Sequence, residues 1–392
     1  MISEKLKPLM ANNSVIRAMF EEGALMREKF GADNVYDFSL GNPNVPAPPE
    51  VNQAMIRLLS DSKPDLHAYM NNAGFPDVRE AIAKSINQKN GTDFDKGNII
   101  MTCGAAGGLN VALNVIMNPG DEVMVFVPYF LEYNWYVNNV DGKVVRVKTD
   151  DNFMPDLLDF ESKITEKTRV LLLNSPNNPT GVVYPAEVLS AIAEILKRKQ
   201  KELNRTLFIL SDEPYRELAY DNTVVPYVTK FYPNTIVAYS FSKSLSLPGE
   251  RIGYLVIPGE MEESQLVFDT ASNTNRILGF VNAPSLIQKV IGECIDAKVD
   301  VGYYDRNRLA LYNMVTELGF ECTKPKGAFY LFMKSPMEDD KAFVEIAKKY
   351  RILMVSGGAF GQPGYVRLAY CVTYQNILNA KESFQKLAEE TL

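Results

Sequence analysis

Lys243 lies in Ser240-Phe241-Ser242-Lys243-Ser244, directly after the apolar run Thr235-Ile236-Val237-Ala238-Tyr239, and Arg251 follows eight positions on. Most lysines are solvated surface charges. This one has small hydroxyl residues on both sides and an arginine within reach. Ser240, Ser242 and Arg251 could together hold a dianionic phosphate, because the guanidinium fork matches phosphate oxygens. A lysine beside a cation and partly buried loses proton affinity and becomes a nucleophile.

Two further segments stand just after apolar runs. Asn174-Ser175-Pro176-Asn177-Asn178-Pro179-Thr180-Gly181 can be read as an ordinary turn, but two prolines in so short a stretch stiffen the backbone and leave Asn178 as a rigid donor. Asp212, in Ser211-Asp212-Glu213-Pro214-Tyr215, could cap a helix or face a buried cation. His67 is the only histidine. Catalysis by Ser-His or Cys-His pairs and multi-histidine metal sites are thereby set aside, and acid–base work falls to Lys, Tyr, Asp or Glu.

The elements that must position these residues alternate. Val123–Val127, Val170–Leu173, Leu207–Leu210 and Thr235–Tyr239 read as buried strands, and Pro185 to Lys199 as an amphipathic helix with a Pro-Ala-Glu start. Strand and helix in this rhythm predict an α/β fold with a mostly parallel central sheet covered by helices. Ligands of such sheets sit at the carboxyl ends of the strands, where the unusual segments fall. A second, smaller α+β domain is expected from a helical stretch over 285–316 and short strands at Ala328–Phe332 and Tyr365–Ala369. The division expected is 46–285 for the large domain, with 1–45 and 286–392 forming the small one. Gly41–Pro49, rich in Pro and Asn, reads as a linker.

Composition narrows the function. The 392 residues are 46% apolar and 23% charged, as in a globular protein, with a formal net charge of -7. That charge speaks against a nucleic-acid partner. No apolar run reaches membrane-spanning length, and Met1–Lys7 mixes acids and bases without a signal region, so a cytoplasmic location and no membrane partner are expected. Cys103, Cys294, Cys322 and Cys371 are widely spaced, which fits idle thiols better than a disulfide framework or zinc site.

The three chemical segments, in this order and at these separations, resemble the class I and II aminotransferases of pyridoxal phosphate (PLP) fold type I, of the aspartate aminotransferase kind. Pro128-Tyr129-Phe130, Pro325–Tyr330, Gly358–Gly361 and Tyr365–Leu368 extend the resemblance over essentially the whole chain. It implies PLP as cofactor, amino acids and 2-oxo acids as substrates, and a homodimer with shared active sites. Lys243 would carry the cofactor as a Schiff base and shuttle the substrate's Cα proton. Asp212 would keep the pyridine nitrogen protonated, Tyr215 and Asn178 would hydrogen-bond the ring's phenolic oxygen, and Phe130 would stack on the ring. Arg367 would clamp the α-carboxylate, close to Gly41. Ser240, Arg251 and the N–H groups of Ala105 and Ala106 would hold the phosphate, the last two before a helix expected over Leu109–Ile116. Ala106 departs from the hydroxyl residue of many family members, which removes one phosphate contact. A dinucleotide loop at Gly104–Gly108 is the competing reading, but it lacks the G-x-G-x-x-G spacing.

Tyr69 resembles the tyrosine that reaches the neighbouring subunit's phosphate; the alternative is a buried aromatic. Arg276 lies within about one residue of where relatives place the arginine for a second, distal substrate carboxylate; the alternative is an exposed loop arginine. An aspartate-type donor with 2-oxoglutarate as acceptor is expected. Competing activities on the same fold are C–S β-lyases, amino-cyclopropane synthases and decarboxylases. A non-catalytic regulator would need a DNA-binding module, for which the N-terminal segment is too short.

Overall fold

The computed structural model describes residues 15–61 and 63–392. Met1–Lys7, and the rest of the expected small-domain segment up to residue 14, lie outside the described residues. The strands are β1 (Tyr36–Asp37), β2 (Ile99–Thr102), β3 (Glu122–Phe126), β4 (Lys143–Val147), β5 (Thr168–Asn174) and β6 (Phe208–Asp212). They continue with β7 (Thr235–Ser240), β8 (Gly253–Val256), β9 (Tyr330–Lys334), β10 (Ile352–Leu353), β11 (Val355–Ser356) and β12 (Tyr365–Ala369).

Seven strands form the central sheet in the order β2-β8-β7-β6-β5-β3-β4. Only β8 runs against its neighbours; the other pairings are parallel. Near-continuous Val, Ile and Leu in β5, β6 and β7 suit strands buried on both faces. Register puts Asn174 opposite Asp212 and Asp212 opposite Ala238, so β5, β6 and β7 end almost level. The segments that leave them therefore open onto one edge.

Helices cover both faces. In Ala186–Leu203, Leu189, Ile192, Ala193 and Leu196 form one buried stripe, and the helix stops at Asn204, whose left-handed φ of 48° closes its carboxyl end. The helix expected over Leu109–Ile116 begins earlier, at Gly104, so Ala105 and Ala106 occupy its first turn. Helix also begins at Pro49, where a proline costs no hydrogen bond, and ends the linker expected over 41–49.

The helical stretch expected over 285–316 is two helices, Ser285–Cys294 and Val301–Glu317. Asp300 separates them, because its carboxylate accepts from Tyr303 N–H and starts the second helix. Ile287, Val290 and Ile291 share an apolar cluster with Val51, Ala54, Val78 and Ile82. Ser285–Cys294 thus packs with the helices over the central sheet, and the chain crosses to the C-terminal elements only after Cys294.

Those elements centre on an antiparallel sheet, β11-β12-β9. The strand expected at Ala328–Phe332 starts at Tyr330 instead, because Ala328 has a left-handed φ of 57° that an extended strand cannot include. Tyr36–Asp37 pairs with Ile352–Leu353, which joins the N-terminal stretch to this layer. Among the described residues no helix is long and apolar enough to cross a membrane.

Candidate active site

The strand ends and the C-terminal sheet enclose one cavity of ≈ 350 Å³. Its walls include Gly41, Ala105, Ala106, Phe130, Asn178, Asp212, Tyr215, Ser240, Lys243, Arg251 and Arg367. Eleven residues expected from the sequence are thus brought together. Tyr69 and Arg276 are not. Tyr69 is 92% exposed, which removes the buried-aromatic alternative for this subunit. Arg276 is exposed too, but in the last turn of the helix Ser264–Ile277 rather than in a loop.

At one end of the cavity the helix Gly104–Ile116 presents its free first-turn N–H groups. Gly104 has a φ of 70°, and a Cβ there would lie 2.8 Å from Arg251 Nη2, so the guanidinium rests directly on this turn. Gly253, opening β8, runs so close to Tyr239 O that a Cβ would come to 2.2 Å. Ser240 ends β7, accepts from Ser242 N–H at 3.2 Å and bonds its hydroxyl at 2.8 Å. Lys243 follows within a single helical turn, Phe241–Ser244.

Lys243 Nζ donates to Gly41 O at 2.9 Å. Burial drives its pKa down to about 8, with Arg367 and Arg251 acting in the same direction and Cys371 opposing. Asp212 Oδ2 accepts from Tyr133 Oη at 2.6 Å, whereas Oδ1 is buried with no hydrogen-bond partner among the described residues. Burial pushes the Asp212 carboxyl up to about 7, against the Tyr133 hydrogen bond and with a smaller contribution from Glu213. Asn174 fixes the strand end: its Nδ2 donates to Asp212 O at 2.9 Å and its Oδ1 accepts from Asn178 N–H at 2.7 Å.

Across the cavity, Arg367 projects from β12 and is 2% exposed. Its Nη2 donates to Ser39 O at 2.6 Å and its Nη1 to Asn178 Oδ1 at 3.1 Å, while Nε is buried and unpaired. The guanidinium carbon lies 4.5 Å from the Tyr330 ring centroid and 4.7 Å from that of Phe360. Among the described residues none of its contacts is a carboxylate, although a buried guanidinium is costly without an anion. Gly41 is required beside it, since a Cβ would fall 2.0 Å from Tyr330 Oη. Tyr215 Oη and Tyr330 Oη are 2.9 Å apart.

Several lining residues escaped the sequence reading. Tyr133 and Tyr136 stand one and two helical spacings beyond Phe130, a relation visible only once the helix Glu132–Asn139 is known. Asn174 opens the segment that carries Asn178, and nothing local sets it apart. Tyr330 ends Pro325–Tyr330, 115 positions along the chain from Tyr215.

Residues 33–384 match the family model for aminotransferase class I and II. The chain belongs to this family. An aspartate/prephenate aminotransferase from Thermus thermophilus is 32% identical over 93% of both chains. An aspartate aminotransferase from Pyrococcus horikoshii is 29% identical over 97% of this chain and 96% of its own. Among solved structures, an amino transferase from Eubacterium rectale superposes with a TM-score of 0.97 at 41% identity, covering 100% and 99% of the two chains. The Thermus thermophilus aspartate aminotransferase with maleate gives 0.87 at 28% identity, with 99% of each chain covered.

This aminotransferase is a PLP-dependent enzyme of fold type I. Its cavity fits the cofactor. The orphaned Asp212 Oδ1 matches a protonated ring nitrogen, the helix N-terminus with Arg251 matches a phosphate, and Lys243 has a depressed pKa suited to attack on an aldehyde.

Proposed function

We propose that this aminotransferase takes the amino group of an aspartate-type L-amino acid and passes it to a 2-oxo acid such as 2-oxoglutarate. The observation that carries the site reading is Arg367: a buried guanidinium with no carboxylate partner among the described residues, facing the same cavity as Lys243 and Asp212. The names of the relatives support the donor class.

Bound in this cavity, PLP supplies an aromatic electron sink for charge developing at the substrate Cα. The chain's residues do the rest. Ser240, Arg251 and the N–H groups of Ala105 and Ala106 would hold the phosphate. Asp212, oriented by Tyr133, would keep the ring nitrogen protonated. Phe130 would cover the ring, and Tyr215 and Asn178 would donate to the phenolic oxygen, Asn178 through Nδ2 while its Oδ1 accepts from Arg367. Arg367 binds the α-carboxylate beside Gly41 and so orients the Cα–H bond. Lys243 Nζ accepts the Cα proton and returns it, a role suited to a lysine whose proton affinity burial has lowered to a pKa of about 8.

A homodimer would complete the site. Tyr69 and Arg276 lie on neighbouring surface segments, because Asn282 Nδ2 donates to Asn71 O at 2.9 Å and Ser285 Oγ to Leu66 O. Ile277, Leu278 and Val281 are exposed beside them, which suits a covered face. Tyr69 would then reach the partner subunit's phosphate and Arg276 a distal carboxylate. A cytoplasmic location agrees with the composition.

The test is a scan of amino donors against 2-oxoglutarate with holoenzyme. Transamination predicts a keto acid in step with glutamate, whereas pyruvate with ammonia would indicate a lyase. An unchanged aspartate-to-alanine rate ratio in Arg276→Ala would refute the distal-carboxylate role.

A further inference from the structure

Tyr330 and Tyr215 form a two-hydroxyl chain on the cavity wall. Each hydroxyl carries one proton, and only one proton can lie between them. The other is left to point elsewhere, so the direction of the bond decides what Tyr215 offers to the cavity. If Tyr215 gives its proton to Tyr330, it has none left for the cofactor's phenolic oxygen.

We infer that Tyr330 is a positioning residue that donates to Tyr215 Oη and so turns the Tyr215 proton toward the cofactor. The inference rests on the proposed role of Tyr215. Three observations carry it. Tyr330 Oη lies directly against Gly41, where a Cβ would approach to 2.0 Å, so on that side its position is fixed by the backbone. Tyr215 is the only hydrogen-bond partner of Tyr330 Oη among the described residues. The Arg367 guanidinium lies 4.5 Å from the Tyr330 ring centroid and draws charge from that phenol.

Burial raises the pKa of both phenols, Tyr330 to about 12, so both hydroxyls keep their protons and the direction of the bond is the open variable. The titratable groups acting on the pair are Arg367, Asp212, Tyr133 and Cys371, and Lys243 lines the same cavity. Donation into Tyr215 Oη also polarises the Tyr215 O–H and strengthens it in turn.

The test is an optical pH titration of the visible absorbance of PLP-loaded enzyme, read alongside the pH profile of kcat/KM. Tyr330→Phe keeps the ring and its packing. It should shift the absorbance midpoint upward by about half a pH unit, roughly threefold in proton affinity. Tyr215→Phe should shift it further, and adding Tyr330→Phe to that variant should do nothing more. A fluorinated tyrosine at position 330, a stronger donor, should move the midpoint down. An unmoved midpoint in Tyr330→Phe, or a full further shift in the double variant, overturns the inference. A protein with no titrating visible band, or one whose borohydride-fixed peptide lacks Lys243, would instead overturn the assignment of the site.

Discussion

Replacing Asp212 with Asn should have opposite consequences for the apo and the loaded enzyme. In the apo protein this carboxylate is buried, with Oδ2 bonded to Tyr133 and Oδ1 unpaired, and its pKa stands at about 7. The unfolded value is about 3.9. A group whose folded pKa is raised favours the folded state most below the unfolded pKa, and that contribution is lost as pH rises through the folded pKa. Three units correspond to at most about 4 kcal/mol, and relaxation reduces this to about 2. Apo Asp212→Asn should therefore be more stable than apo wild type by about 2 kcal/mol at pH 8, and the gap should close between about pH 7 and pH 4. The amide oxygen can still accept from Tyr133, so the packing is retained. With PLP present the order should reverse, because an amide gives the protonated ring nitrogen no counter-charge, and kcat should fall by at least about a hundredfold. Urea unfolding of both apo proteins at pH 5 and pH 8, then repeated with PLP, provides the measurement. An apo variant less stable than wild type at pH 8, or a gap independent of pH, would refute the electrostatic argument.

Other outcomes follow from neighbouring residues. Capture of PLP by the apo enzyme needs neutral Lys243, so its rate should rise with pH and level off above about 8; a profile still climbing at pH 10 would contradict the depressed pKa. Arg367→Ala removes a charge-assisted carboxylate clamp worth about 3 kcal/mol and should lower kcat/KM by roughly a hundredfold, while the visible band of the bound cofactor persists. Gly41→Ala forces Tyr330 from its seat, since the new Cβ would stand 2.0 Å from its hydroxyl, and should cut kcat/KM by more than about tenfold. Steady-state kinetics with an active donor checks the last two.

Local sequence determined a good deal. The parallel strands, the helix from Ala186 and the segments around Asn178, Asp212 and Lys243 were legible, because each depends on period, strand-end position and short-range spacing. The same holds for a cavity that relies on lysine and tyrosine in a chain with one histidine. Folding settled what depends on distant partners. Asp300 starts a second helix within a stretch that periodicity reads as continuous, and Ala328 takes a left-handed φ that delays β9. Tyr133 met Asp212 across 79 positions and Tyr330 met Tyr215 across 115. The shared burial that lowers the Lys243 pKa and raises that of Asp212 is likewise absent from any local pattern, since desolvation arises only when separate strand ends close on one space. The sequence named the groups that could do chemistry, and packing decided their protonation, their direction and which of them touch.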